Sequence, residues 1–505
     1  MFDGSFPEPG ALRACPDAGL IDAICGWSTA AAAAEGRRLA AVAEFVTRRC
    51  TDEHPDWACD DWDATAAEIA AALNISHHRA SALMNLAITL RERFPNVGAL
   101  VLAGTITAHT AQLIADRTYL VFNPEAIATL DARIAEQAHT WGPLSDYKLI
   151  QSLDVLVDEI DPGALRRTTG NARHRDITIA DPDEQSGTTA LWGRLLATDA
   201  AALDKRLTAM ATAVCTGDPR TVAQRRADAL GALGNKADHL TCLCGSPDCP
   251  ATADDGRATN VIVHVVAEHA TLTTPVDTGE SLHGEEPAEP EPAPPASPTS
   301  GPRPKPALLV EGRGGIIPAP LLQDLIARGA RVRPVPTPTA AEPRYRPSAA
   351  LATFVRLRDL TCRFPGCPRP AFATDIDHTR PYPHGPTHPA NLGCYCRKHH
   401  LAKTFWPGWH DEQLPDGTIV ITTPTGHTYR SKPGAALLFP DWNTNTPAPP
   451  TDPAAPPPPP QDSPGRTLKM PRRTQTRAKA RAYRIKTERA LNDAHVAERT
   501  KPPPF

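Results

Sequence analysis

Thr361-Cys362-Arg363-Phe364-Pro365-Gly366-Cys367, then Asp375-Ile376-Asp377-His378, Asn391-Leu392 and Cys396-Arg397-Lys398-His399-His400, form the stretch that decides how this 505-residue chain is read. Cys362 and Cys367 make a Cys-x4-Cys knuckle, with Pro365-Gly366 supplying the tight turn. Cys396 and His399 make a Cys-x2-His pair at the other end, where a helix is expected. Three soft thiolates and one imidazole suit a tetrahedral structural zinc. A segment this short buries little apolar surface, so the metal would supply folding free energy directly. Cys394 is a rival fourth ligand; the flanking pattern favours His399.

The same stretch holds the makings of a second metal site. Asp377 and His378 are adjacent in an expected strand, so their side chains point to opposite faces and one can bind a metal while the other faces water. His400 follows His399 on the expected helix and points about 100° away from it, free to serve a different ion. A carboxylate and an imidazole with positions open to water and phosphate suit Mg²⁺, Mn²⁺ or a similar divalent cation. A histidine with an unperturbed pKa of about 6.5 suits a general base near neutrality.

Residues 358–400, with the lead-in Arg358-Asp359-Leu360-Thr361-Cys362-Arg363-Phe364-Pro365-Gly366-Cys367, resemble the HNH endonucleases of the ββα-metal class, in which two strands and a helix pinch one catalytic metal. The resemblance implies that His378 is the general base and that Asp377 and His400 hold the metal. Asn391 would brace the loop and orient the base. Two departures stand out: Cys396-x2-His399 replaces the usual Cys-x2-Cys, and His384-Gly385 replaces a glycine pair. His384 and His388 read as exposed loop histidines. The wider layout is similar to an actinobacterial family joining a long helical domain of unknown function to a C-terminal HNH module. That likeness rests on Ala67–Ala72, Ala99-Leu100-Val101-Leu102-Ala103-Gly104 with Ile106 and His109, and Trp409, Gly417, Pro424-Thr425-Gly426 and Tyr429.

The rest of the chain sets the context. Its length exceeds one average domain, and 55 prolines point to linkers. With 5% aromatic residues, aliphatic and alanine-rich helices must do most of the packing. A net charge of −4 means that any surface for nucleic acid is local. Met1–Pro9 lacks a secretory pattern and no apolar run reaches the roughly 18–20 residues of a membrane span, so a cytoplasmic protein with reduced thiols is expected. Seven of the twelve cysteines fall into two clusters, as metal ligands do in a reducing compartment. The second cluster, His239-x2-Cys242-x-Cys244-x4-Cys249, reads equally as another zinc site or as a turn with ordinary thiols. The isolated cysteines, Cys215 among them, read as small core residues.

The expected fold class is a mainly α N-terminal domain, a small zinc-stapled ββα-metal HNH module, and disordered linkers and tail. Residues 1–274 read as mainly helical, with a short hairpin between Asp176 and Trp192 and a buried strand at Val261–Val266; Ala67–Leu73 and His78–Ala87, with Ser76 as a cap, outline a helix-turn-helix or a plain helical hairpin. A Pro-rich acidic linker (275–306), a connecting segment (307–350), the HNH module with its extension (351–440) and a second Pro-rich linker (441–465) follow. The tail (466–505) carries twelve Lys/Arg against three acids. Its Arg472, Arg473, Arg477, Arg481 and Arg484 are candidates for non-specific DNA phosphate contacts. The expectation is a metal-dependent endonuclease with DNA as its partner, no membrane, a structural zinc and a catalytic divalent metal. A double-strand break would come most simply from a homodimer. The alternative is a catalytically silent, zinc-containing DNA-binding or assembly protein.

Overall fold

The computed structural model describes residues 7–138, 141, 144–165, 176–180, 188–195, 197–251, 264–273, 307–310, 315–327, 330–447, 465–499 and 501. The acidic linker at 275–306 and most of the second linker lie outside these residues. Seven helices build the first body: α1 (Asp17–Arg49), α2 (Asp61–Leu73), α3 (His77–Ile88), α4 (Pro95–Ala103), α5 (Ala108–Arg117), α6 (Pro124–Gln137) and α7 (Asp146–Ile160). Leu39, Val42, Met84, Phe94, Val97, Ile114, Leu130, Ile134 and Leu153 fill its core.

α2 and α3 pack against each other as a hairpin. Asp60 caps α2 by accepting from the Asp63 N–H, Asn74 closes it in the left-handed region (φ 50°), and Ser76 caps α3 as expected. Nearly every α2 residue is buried, because the helix is covered twice. Ala66, Ile69 and Ala70 face the helical core, while Ala67 and Ala71 pack with Phe364, Tyr395, Trp409 and Ile419. Only small side chains let a helix be approached so closely from both sides.

A hairpin of β1 (Asp176–Ile179) and β2 (Leu191–Arg194) leads to α8 (Ala197–Thr212) and α9 (Val222–Gly234), which enclose a small core of their own. The connecting region holds β3 (Val265–Val266), α10 (His269–Thr273), β4 (Ala307–Leu309), β5 (Gly315–Ile317) and α11 (Ala319–Ala327), with strand order β3-β4-β5, all antiparallel.

The C-terminal body begins with α12 (Ala349–Asp359), which covers an antiparallel pair, β6 (Asp375–His378) and β7 (Leu392–Tyr395). α13 (Arg397–Phe405) follows, then a meander of β8 (His410–Gln413), β9 (Ile419–Thr422) and β10 (Thr428–Ser431), and a short α14 (Gly434–Leu438). The lead-in Arg358-Asp359 and Arg363 form a fully buried ion-pair group. Asp359 accepts from Arg358 (2.8 Å), Arg363 (2.9 Å) and the Cys394 N–H (2.8 Å), while Arg358 donates to the carbonyls of Pro389 and Leu392. Buried charges persist only when so compensated; here they lock the knuckle to the strand pair.

The tail departs from the disordered segment expected. Residues 477–499 form α15 (Arg477–Arg499). Ahead of it, Met470 inserts among Trp57, Cys59, Leu401 and Ala402. Further on, Asn492 donates to the carbonyls of Gly163 and Leu165, and Arg489 pairs with Asp161 at 2.8 Å. Carboxylates on the helical body supply the partners that turn a charge run into an ordered helix.

Candidate functional site

Cys362, Cys367, Cys396 and His399 converge with their donor atoms all within 4.8 Å of one another. His399 Nδ1 lies 3.3 Å from Cys396 Sγ and 3.5 Å from Cys362 Sγ. A tetrahedral zinc with the usual bond lengths sets neighbouring S and N donors about 3.5 Å apart, so the group fits the ion. The Cys396 N–H donates to Cys362 Sγ at 3.2 Å. Neighbouring thiols, chiefly Cys362, pull the Cys396 thiol far below its ordinary value. Cys394, the rival ligand, is buried with Sγ toward the Val355 carbonyl. Phe364 stacks on His399 at 3.9 Å and His77 meets it edge-on at 5.5 Å, so both bodies wall the centre. Gly366 (φ +68°) presses on the α2–α3 turn, where a Cβ would come within 2.6 Å of the Ile75 carbonyl oxygen.

On the other side of α13, His400 Nε2 faces Asp377 Oδ1 at 3.5 Å, while His400 Nδ1 pairs with Asp375 Oδ2 at 2.8 Å. A carboxylate on one ring nitrogen orients the other toward a ligand position, as second-shell carboxylates do for metal-bound histidines. Asp377 Oδ2 is held by Lys403 Nζ at 2.8 Å, and Lys403 also reaches Asp411 (3.1 Å) and the His378 carbonyl (2.9 Å). Burial opposes ionisation of Asp377, but Lys403 and His400 outweigh it and hold its pKa well below the usual range. Burial likewise works against charge on His400, yet Asp377 and Asp375 raise its pKa.

His378 is buried, with Nε2 2.9 Å from Thr387 Oγ1. Thr387 has one hydroxyl proton and gives it to the Arg344 carbonyl, so His378 must donate from Nε2. That assignment leaves Nδ1 unprotonated, and among the described residues it has no hydrogen-bond partner. Burial lowers the His378 pKa against the pull of Asp377, which favours the neutral ring. Asn391 accepts from the Arg380 N–H (2.7 Å) and donates to the carbonyls of Arg380 (3.0 Å) and Pro386 (2.9 Å), spanning the loop after the histidine. His388 departs from its expected exposure: it is buried, bonded to the Thr339 carbonyl and to the Ala390 N–H.

Residues 28–359 match the family described as a domain of unknown function, DUF222. The chain belongs to the DUF222 family. Three Mycobacterium tuberculosis proteins are similar to it. Uncharacterized protein Rv3776 is 55% identical over 508 residues, covering 100% of this chain and 95% of its own. Uncharacterized protein Rv2100 is 53% identical over 526 residues, covering 100% and 93%. The uncharacterized protein in est 3'region is 53% identical over 358 residues, covering 70% of this chain and all of its own. No solved structure matches.

The DUF222 match stops at Asp359, three positions before Cys362, so the Cys3His centre and the Asp377/His400 pair lie beyond it. Inside it lies the second cluster, with a different ligand set from the one expected. Cys215, Cys242, Cys244 and Cys249 come together, with Cys215 Sγ 3.5 Å from Cys242 Sγ. His239 instead pairs with Asp238 at 3.0 Å. Cys215 was invisible to local spacing because the α8–α9 hairpin carries it in from 27 residues upstream of Cys242. The buried Asp218–Arg220 pair (2.7 Å) fixes the knuckle through the Leu243 N–H and the Thr241 carbonyl. These four thiols could hold a structural metal such as zinc. Cys215→Ser should therefore remove one zinc equivalent from the purified chain, while His239→Ala removes none. Elemental analysis of both variants checks this, and an unchanged zinc count in Cys215→Ser would overturn it.

The tail arginines of the DUF222 chain sit largely on its own carboxylates. Arg472 pairs with Asp56 at 3.0 Å; Arg473 and Arg477 each reach Asp60 and Asp63 at 3.1 Å; Arg481 lies over Tyr119. Arg484 is exposed. Sequence reasoning gave no role to Asp375, Lys403 or Asp411. Asp375 had a signal, since Asp-x-Asp in a strand puts both carboxylates on one face.

Proposed function

We propose that this DUF222 protein is a metal-dependent HNH endonuclease that hydrolyses DNA phosphodiester bonds. The observation that carries the reading is the convergence of Asp377 Oδ1 and His400 Nε2, with Asp375 orienting the imidazole and a neutral His378 next along the strand. A divalent cation held by Asp377 and His400 would supply Lewis-acid stabilisation of charge on the phosphate and on the leaving 3′-oxygen. His378 Nδ1, unprotonated, would take the proton of the attacking water. Thr387 fixes the tautomer, and Asn391 holds the loop that positions the ring without touching substrate. Lys403 keeps Asp377 ionised. The exposed Arg344, Arg346 and Arg380 supply positive charge around the site for a phosphate backbone.

A second reading, a zinc-containing DNA-binding or assembly protein that does not cut, draws on one observation. His378 Nδ1 is covered, so water reaches it only when neighbouring side chains move aside. Nicking of supercoiled plasmid separates the two. Chelator-stripped protein, with its structural zinc retained, is tested with Mg²⁺, Mn²⁺ or Ni²⁺ restored in turn, beside His378→Ala at equal zinc content and fold. The nuclease reading expects cutting that falls about 10²–10⁴-fold in the variant, the usual worth of a general base. DNA binding without cutting under any of these ions would favour the second reading.

A further inference from the structure

The arm that precedes α12, residues 339–346, lies outside both the DUF222 core helices and the HNH-like stretch, yet it borders the reaction site. It is laid along the loop after β6. The Glu342 N–H donates to the Thr387 carbonyl at 2.9 Å, Thr387 Oγ1 bonds the Arg344 carbonyl, and His388 meets the Thr339 carbonyl at 3.2 Å. The Glu342 carboxylate accepts from the Ser348 N–H at 2.7 Å, tying the arm to the start of α12. So fastened, the arm sets the Tyr345 ring parallel to His378, with centroids 5.4 Å apart and planes 18° apart. Tyr382 meets Tyr345 edge-on at 6.0 Å. Both rings are exposed, Tyr345 by 57% and Tyr382 by 37%. They are two of only seven tyrosines in a chain poor in aromatics. The exposed Arg344 and Arg346 flank Tyr345, and Arg380 begins the loop that carries Tyr382.

An aromatic face open to solvent, backed by a fixed ring and bordered by guanidinium groups, is the construction that holds an unstacked base while its backbone is neutralised. A paired duplex offers no free base face to such a surface. We propose that Tyr345 and Tyr382 form a stacking platform for a nucleobase beside the scissile phosphate, so that the substrate is single-stranded or locally unpaired DNA. The inference rests on the nuclease reading for what happens to the strand, but the platform itself is a binding surface that is measured without cleavage.

The test uses full-length, zinc-loaded protein without added divalent cation, and fluorescence anisotropy with a labelled oligothymidine strand and a duplex of equal length. Wild type should bind the single strand more tightly than the duplex. Tyr345→Ala should weaken single-strand binding about 5- to 150-fold, the worth of one stacked base, with duplex binding changed less than about 2-fold. Tyr345→Phe, which keeps the ring, should retain wild-type binding, and Tyr382→Ala, whose ring meets those of Tyr345 and His378 at a tilt, should lose part of it. Duplex bound as tightly as single strand by wild type, or a Tyr345→Ala variant with an unaltered preference, overturns the platform. Plasmid nicking measured separately keeps the two ideas apart. Cutting with no Tyr345 dependence of binding sinks the platform alone, whereas Tyr345-dependent binding with no cutting under any cation sinks the nuclease reading alone.

Discussion

Cys362→Ser should leave the full chain with one zinc equivalent fewer and with the segment around β6, β7 and α13 unfolded. Cys362 sits at the centre of the Cys3His group, buried, accepting from the Cys396 N–H and facing His399 Nδ1. The apolar cluster shared with it is small, namely Phe364, Tyr395, Trp409, Ile419 and Ile421, with Ala67 and Ala71 from α2. Structural zinc binding is worth about 10–16 kcal/mol in small modules near pH 7, comparable to the whole stability of a domain. Serine is a much poorer zinc ligand, so the loss is not made good by packing. Elemental analysis gives the metal count, and near-ultraviolet circular dichroism reports on Trp406 and Trp409, which pack around the cluster. An unchanged zinc count with an unchanged tryptophan signal would show that the group is not a metal centre.

Asp63→Asn should destabilise the junction of three parts of the chain by about 3–5 kcal/mol, the cost of stripping one partner from a buried ionic group. The Asp63 carboxylate is almost wholly buried. It takes Lys398 of α13 at 2.7 Å, His77 of α3 at 3.1 Å, and Arg473 and Arg477 of the tail at 3.1 Å each. Burial raises its pKa, but His77, Lys398 and Arg477 prevail and hold it well below the model-compound value of 3.8. A carboxylate with a depressed folded-state pKa contributes stability that is fully present above the unfolded value and is lost as pH falls through the folded one. The variant should therefore melt below wild type at pH 7, release residues 474–499 to limited proteolysis, and begin to converge on wild type only as pH falls below about 4. A melting difference that stays constant from pH 7 down to pH 3 would refute this account. High salt should narrow the gap only slightly, because the group is buried.

What the sequence disclosed and what it hid divide along one physical line. The Cys362/Cys367 and Cys396/His399 pairs were readable because each pair sits within one turn of chain, where spacing alone fixes geometry. His399 was favoured over Cys394 by the flanking pattern, and the structure turns the Cys394 thiol away toward the Val355 carbonyl. The helices of the first body were readable from apolar period, and Ser76 from its capping chemistry. Cys215 and Lys403 with Asp411 were not, because each acquires its role only when remote elements dock. The tail shows the same limit from the other side. Its charge was plain, but Asp60, Asp63, Asp158 and Asp161, which receive Arg473, Arg477, Arg489 and Arg499, are scattered through the first third of the chain. The alanine run at 64–72 spelled a helix yet gave no sign of being covered on both sides.

That doubly covered helix also sets a timetable for synthesis. Asp63 and its partner Lys398 are 335 residues apart. At about 5–20 residues per second, α2 emerges roughly 15–70 s before α13 exists to meet it. Throughout that interval one face of the helix waits without its final neighbour. A face built from Ala67 and Ala71 exposes little to cling to wrong partners, and Asp60 and Asp63 keep its end hydrated. The same small side chains that permit close packing at the end thus keep the nascent chain out of trouble on the way there.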